Sequence, residues 1–327
     1  LSTPFRWGIL GTGGIAHKFA TGLSVLSDAK LVAVGSRTQA SADKFADEFN
    51  APRRHASYEA LANDPEVDAI YIATPHPFHK ENTLLCLNAG KAVLVEKPFA
   101  INAAQAQEMI NLSRQKRVFL MEAMWSRFLP AIVRVRELIA SGTIGEVRML
   151  NADFGFRTNV NPKGRLFDLA LGGGALLDVG IYPLSLASLL LGTPKTIAAA
   201  GDIGSTGADE QNAILLNYDK GQLALLSSAT RTNTLHEATI YGTDGYICIP
   251  DWWHAQKVIL AVNGKAPETL DIPHLGNGYP HEAMEVAACV QSGQIESKTM
   301  PLDESLTIVR TMDTIRAQWG LQYPSEK

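Results

Sequence analysis

From residue 6 to about 121, short apolar runs alternate with amphipathic stretches of helical period. RWGIL is followed by IAHKFATGLSVL, KLVAVGS by ASADKFADEF, AIYIAT by HKENTLLCLNAG and AVLVE by NAAQAQEMINLSRQ, before VFLME closes the series. Strand and helix periods taking turns at this spacing predict five strands in βαβ units and hence a parallel sheet. Residues 31–34 and 69–73 are apolar at consecutive positions, as suits strands covered by helices on both faces. Beyond Pro130 the rhythm changes. A helix over 131–140, a strand over 146–154 and a helix starting near Gly174 lead into β-prone runs. Those runs are separated by Asp219-Lys220-Gly221, Thr243-Asp244-Gly245 and Asn263-Gly264, each a hairpin signal. Helical patterns over 281–291 and 303–319 end the chain, which shows no internal repeat. The expected fold is an α/β Rossmann domain, a doubly wound parallel sheet, over 1–124. An α+β domain with a large, mainly antiparallel open sheet is expected over 125–327.

Composition narrows the function classes. The 327 residues exceed one typical domain, and 29 Lys+Arg against 33 Asp+Glu give a net charge of −4. No basic excess recruits nucleic acid or an anionic membrane, so a small-molecule partner is expected. Cys86, Cys248 and Cys289 lie far apart without a CxxC pair. They suggest neither a disulfide framework nor a zinc site, and a reducing cytoplasm is the expected location. No run approaches the roughly 18 to 20 uninterrupted apolar residues of a membrane helix, and the best candidate, 184–191, stops at Gly192 and Pro194. The chain therefore reads as soluble. No basic segment precedes an apolar run at the start, while Leu1 in place of Met leaves a removed leader open.

Gly11-Thr12-Gly13-Gly14-Ile15-Ala16 follows the first strand and opens the first helix. It is a G-x-G-x-x-A form of the dinucleotide fingerprint. Gly11 permits the tight turn, Gly13 lets backbone N–H groups approach a pyrophosphate, and Ala16 allows close helix–strand packing. At the end of the second strand, where NAD-specific proteins usually carry a ribose-binding carboxylate, stand Gly35-Ser36-Arg37. Ser36 and the Arg37 guanidinium suit a 2′-phosphate, so NADP(H) is the expected cofactor and NAD(H) a second one. Arg37 as a plain solvated charge is the competing reading.

Two further segments fall at the C-terminal edge of the expected sheet, where ligands bind. Ala73-Thr74-Pro75-His76-Pro77-Phe78-His79 follows the third strand, and Glu96-Lys97-Pro98 the fourth. Thr74, His76 and His79 are thereby candidate cofactor contacts. Lys97 can approach nicotinamide and substrate, and Glu96 can orient its neighbours. His76 and His79, three apart, would suit a metal only with a third ligand, and none lies near in sequence, so no metal is expected. Together with Gly172-Gly173-Gly174-Ala175-Leu176-Leu177-Asp178-Val179-Gly180-Ile181-Tyr182, these motifs resemble the Gfo/Idh/MocA oxidoreductase family over nearly the whole length. The segments 86–98, 119–131 and 173–182 look closest to its group of dihydrodiol and NADP-dependent D-xylose dehydrogenases. The resemblance implies Lys97 and Tyr182 as catalytic residues, with His79 and Trp125 beside the nicotinamide. It also implies a homodimer formed through the open face of the C-terminal sheet.

Residue chemistry agrees with that assignment. Asp178 and Tyr182 are four apart, so on a regular helix they share a face, and Pro183 must sit in its first turn or kink it. A tyrosine with its ordinary pKa near 10 is a weak base at neutral pH, and a nearby ammonium such as that of Lys97 lowers it. Trp125, Phe128, Phe154 and Trp253 could wall a substrate, although such aromatics are more often core. Arg127 could bind a polar substrate group or a cofactor phosphate, and 276–279 could border the site. The expected activity is hydride transfer between NADP(H) and a secondary alcohol or carbonyl of a sugar, cyclitol or trans-dihydrodiol. Two alternatives stay open: a dinucleotide-responsive regulator on the same fold, and a hydrolase or epimerase with a retained, cycling nicotinamide.

Overall fold

The computed structural model describes residues 4–326. They divide into two units, 4–125 with 275–306 and 126–274 with 307–326.

In the first unit, β1 (Phe5–Leu10), β2 (Ala29–Gly35), β3 (Arg53–His55), β4 (Ala69–Ile72), β5 (Ala92–Glu96) and β6 (Leu120–Ala123) form a parallel sheet in the order β3-β2-β1-β4-β5-β6. Between them run α1 (Gly14–Leu23), α2 (Gln39–Phe49), α3 (Tyr58–Ala62), α4 (His79–Asn88) and α5 (Ala103–Lys116). β1 and β4 are neighbours, and the chain leaves them in opposite directions across the sheet, so a crevice opens beyond their C-terminal ends. β3 adds a sixth strand to the five expected. Its Arg-Arg-His sequence has no apolar signal because it is an edge strand held by polar contacts. Arg53 Nε donates to Asp64 Oδ2 at 2.5 Å, and His55 Nε2 lies 2.7 Å from the same oxygen.

Residues 275–306 belong to this unit, whereas the expected division placed everything after 124 in the second. The apolar period located α8 (Pro280–Gln291) but could not name its packing partner. Gly22 on α1 supplies one contact, since a Cβ there would meet Asn277, Tyr279 and Pro280. Asn277 Nδ2 also donates to Lys18 O at 2.8 Å, and Leu120 N–H to Ile295 O at 3.1 Å.

The second unit contains α6 (Pro130–Ala140), β7 (Val147–Gly155) and α7 (Ile181–Leu191). Its remaining strands are β8 (Thr196–Ile203), β9 (Asp209–Asn217), β10 (Leu223–Ala229), β11 (Ala238–Gly242), β12 (Gly245–Ile249), β13 (Lys257–Val262) and β14 (Glu268–Asp271). With β7 they form an eight-stranded sheet, β14-β13-β12-β11-β7-β10-β9-β8, antiparallel except for the β7–β10 pair. The three expected hairpins are present. Alternation along the strands buries Ile214, Leu216, Ala224 and Leu226 on the face that carries α7 and leaves Leu215 and Leu225 exposed on the other. α9 (Leu302–Trp319) contributes its first residues to the first unit and the rest to the second.

One helical segment, Leu169–Leu191, is long and apolar enough to cross a membrane by length and composition, contrary to the expectation from uninterrupted apolar runs. It is mostly buried within the second unit, as a core helix is.

Candidate active site

The loop after β1 is built for close approach. Gly11 has φ +99°, its N–H donates to Gly35 O at 2.9 Å, and a Cβ there would press on Ala73 O. A Cβ on Gly13 or Gly14 would meet nothing within 4 Å, and no side chain caps the N-terminus of α1. Its first N–H groups thus face open space with partial positive charge, the surroundings a pyrophosphate requires. Ile15 is half-buried and Ala16 fully buried against the sheet. Thr12 Oγ1 lies 3.5 Å from the buried Ser36 Oγ at the end of β2. Next to Ser36, Arg37 is exposed, and its charge reaches the half-buried Tyr58, whose phenol burial pushes up and Arg37 pulls back.

The loops after β4 and β5 are tied together by His79. Its ring is fully buried, with Nε2 2.9 Å from Thr74 O and Nδ1 2.9 Å from Pro98 O. Burial pushes the imidazole pKa down to about 4, and the Lys97 charge adds to this against the two carbonyls, so the ring is neutral near pH 7. A neutral imidazole has one N–H to donate and both nitrogens face backbone, so His79 acts through the loops it holds. Its partner His76 lies edge-on, with ring centroids 5.7 Å apart. Asn82 Nδ2 donates to Thr74 Oγ1 at 3.1 Å, and Glu122 Oε1 accepts from Phe99 N–H at 2.9 Å, which fixes the backbone on the far side of Lys97. Lys97 itself is half-exposed.

Glu96 is buried. It accepts hydrogen bonds from the Tyr71 hydroxyl and, at 3.1 Å, from Lys97 N–H. Nearby on α8 is a carboxyl that sequence reasoning missed, Glu282, fully buried with no hydrogen-bond partner on either oxygen among the described residues. Burial, and then the charge of Glu96, push its pKa well above the carboxylate range, so it stays protonated. Tyr279, which ends the undecided 276–279 loop, stacks on Trp125 at 4.8 Å and 17°.

In the second unit the Gly-rich segment does not begin as a regular helix. Leu176–Gly180 forms a π turn, in which Ile181 N–H reaches back to Leu176 O, and α7 follows with Pro183 in its first turn. The chain thus passes from a π turn into an α-helix between Asp178 and Tyr182. π turns of this kind occur frequently at functional sites. Asp178 Oδ1 accepts from Arg165 Nη1 at 2.5 Å, and Arg165 is a residue no motif had singled out. Tyr182 meets Phe154 edge-on at 5.2 Å, and Phe154 stacks on Trp253 at 5.0 Å. His236, also missed, lies 5.0 Å from Phe154, with Nε2 2.6 Å from Gly155 O and Nδ1 accepting from Trp253 Nε1 at 3.4 Å. Phe154, Tyr182 and Trp253 are thus brought together from separate stretches of chain. Arg127 is buried, with Nε donating to Ser185 Oγ at 2.7 Å and Nη2 to Ser185 O at 2.8 Å.

Residues 5–124 match the model of an oxidoreductase family with an NAD-binding Rossmann fold, and 132–248 match a GFO/IDH/MocA C-terminal domain. The mouse trans-1,2-dihydrobenzene-1,2-diol dehydrogenase is 41% identical over 334 residues, covering 98% of this chain and 99% of that protein. Among solved structures, the aldose-aldose oxidoreductase from Caulobacter crescentus complexed with glycerol superposes with a TM-score of 0.89 at 25% identity, over 97% of this chain and 98% of that one. A 3-ketoreductase from Actinomadura kijaniata in complex with NADP and TDP-benzene gives a TM-score of 0.85 at 25% identity, over 96% and 98%.

Proposed function

Because the chain belongs to the Gfo/Idh/MocA oxidoreductase family, we propose that it is an NADP(H)-dependent dehydrogenase acting on a CH–OH group of a sugar, cyclitol or trans-dihydrodiol. The observation that carries the reading is the loop at the β1/β4 crevice, where Gly11 turns the chain and the space over Gly13 and Gly14 is open. When bound, the nicotinamide supplies the acceptor of hydride in oxidation and its donor in reduction. Gly13, Gly14 and the first N–H groups of α1 hold the pyrophosphate, and Ser36 with Arg37 holds the 2′-phosphate. NAD(H) lacks that phosphate and is the weaker cofactor.

Oxidation of the alcohol removes a hydride from carbon and a proton from oxygen. Tyr182 takes the proton, and the Lys97 ammonium stabilises negative charge on the oxygen as it develops. His79 and Glu96 keep Lys97 in place through the backbone contacts described above. Phe154 and Trp253 offer an apolar wall to one face of the substrate, and Asp178 with Arg165 offers polar groups to vicinal hydroxyls. Three free cysteines, of which Cys86 and Cys289 are buried, support a reducing compartment such as the cytoplasm. The open face of the C-terminal sheet supports a homodimer.

Absorbance near 340 nm, followed with NADP+ or NADPH and a panel of trans-dihydrodiols, aldoses, cyclitols and dicarbonyls, tests this reading. Tyr182→Phe should lower turnover by about 10²-fold while cofactor affinity is kept. Wild-type turnover in both Tyr182→Phe and Lys97→Met, with a substrate whose chemistry limits the rate, would remove both residues from the mechanism.

A further inference from the structure

The Gly-rich segment is shaped by a carboxylate far from it in sequence. Asp209, the first residue of β9, is fully buried, and its Oδ2 accepts from Leu176 N–H at 2.8 Å and from Asn212 Nδ2 at 3.1 Å. Gly174 has φ +134°, and a Cβ on it would collide with Asp209 Oδ1, which has no hydrogen-bond partner among the described residues. Asn212 Oδ1 in turn accepts from Ser228 Oγ at 2.9 Å, and a Cβ on Gly180 would lie 2.9 Å from that Oγ. Asp209 thus holds the start of the π turn, Leu176–Gly180, by a hydrogen bond, and Ser228, bonded to Asn212, packs closely against its end at Gly180, two residues before Tyr182. Two of the motif's glycines are needed for this close approach.

We propose that Asp209 is a positioning residue: by holding Leu176 directly and, through Asn212, the Ser228 side chain that packs against Gly180, it fixes the turn that sets the place of Tyr182. The proposal rests on the reading of Tyr182 as the proton-transfer group. The groups that face Asp209 are the Gly174 and Leu176 backbone at the helix start, Asn212 on its own strand, Arg316 on α9 and Tyr323 beyond it. Arg316 is already tied to Asp313 and Glu326. Burial raises the Asp209 pKa to about 6, while the Leu176 and Asn212 hydrogen bonds and the Arg316 charge oppose that rise. Protonation would replace two charge-assisted hydrogen bonds with weaker neutral ones, so the grip is firm above this pH and loosens below it.

The test is the pH dependence of kcat for trans-1,2-dihydrobenzene-1,2-diol with NADP+, measured beside hydrogen–deuterium exchange of peptides spanning 174–184. The wild type should show an acid limb near pH 6. Asp209→Asn should lose that limb and about tenfold in kcat at alkaline pH, with KM and NADPH affinity within about threefold. Asn212→Ala removes a donor that favours the carboxylate, so its limb should move to higher pH. In the wild type, exchange of 174–184, corrected for intrinsic rates, should quicken as pH falls through the limb, and in Asp209→Asn it should not. An acid limb unmoved in Asn212→Ala, or wild-type turnover and limb in Asp209→Asn, overturns the proposal. Should Asp209→Asn fail to fold, the Asn212→Ala limb and the wild-type exchange decide. Full turnover in Tyr182→Phe would defeat the functional reading, whereas an inactive Tyr182→Phe with an unmoved limb defeats this inference alone.

Discussion

Trp253 lies flat against Phe154, with ring centroids 5.0 Å apart and planes 18° from parallel, and His236 Nδ1 accepts its indole N–H. The stack is fixed from both sides, because Phe154 also meets Tyr182 edge-on. An aromatic pair of this kind is worth about 0.5–1.5 kcal/mol beyond the area it buries. Trp253→Ala should therefore raise KM for a dihydrodiol by about tenfold and change kcat by less than about threefold. Steady-state kinetics checks this, and an equal fall in kcat and kcat/KM would place Trp253 in the chemical step instead of the substrate wall.

If Arg37, exposed beside the buried Ser36, holds the 2′-phosphate, it sets the choice of cofactor. Arg37→Asp replaces a phosphate partner with a repelling carboxylate and should weaken NADPH by at least about tenfold more than NADH. Fluorescence titration with both cofactors measures the ratio. Equal loss for the two would return Arg37 to the status of a solvated charge.

Glu282 makes stability depend on pH in a definite direction. Its folded-state pKa is raised well above the unfolded value of 4.5, so the folded state holds a proton that the unfolded state releases as pH rises. Stability is full below about pH 4.5 and falls as pH climbs toward the folded pKa. Glu282→Gln stays neutral at every pH, so it should unfold later than the wild type at about pH 8 and by little difference at about pH 5. Thermal unfolding at the two pH values reads this out. A wild-type advantage that grows with pH would mean Glu282 is ionised and paired in the fold.

The open sheet face carries Leu215 opposite Leu225 and Tyr241 opposite Tyr246, all exposed and in cross-strand register. If this face joins two copies, Leu225→Lys should convert a dimer to a monomer with cofactor affinity unchanged, since it would bury an unpaired charge in an apolar contact. Light scattering at micromolar concentration gives the mass. A monomeric wild type would remove the dimer.

Much of this protein is written locally in its sequence. Strand and helix periods and the hairpin turn residues announced both sheets, apart from β3, because backbone geometry sets those periods and a turn residue needs no distant partner. Gly11, Gly13 and the Glu96-Lys97-Pro98 triplet were legible for the same reason: each follows directly on the strand that positions it. Packing partners had no such signature. β3 is a polar edge strand that only its contact with β2 and Asp64 reveals, and α8 carried a clear helical period that could not say it packs on α1. The helical period could not show that a π turn precedes Tyr182, nor that Leu176 at its start is held by Asp209, 33 positions away. Nothing in the sequence pointed to the bond between Arg127 and Ser185. Contacts between side chains distant along the chain depend on how finished elements meet in space, so only the tertiary structure decided them.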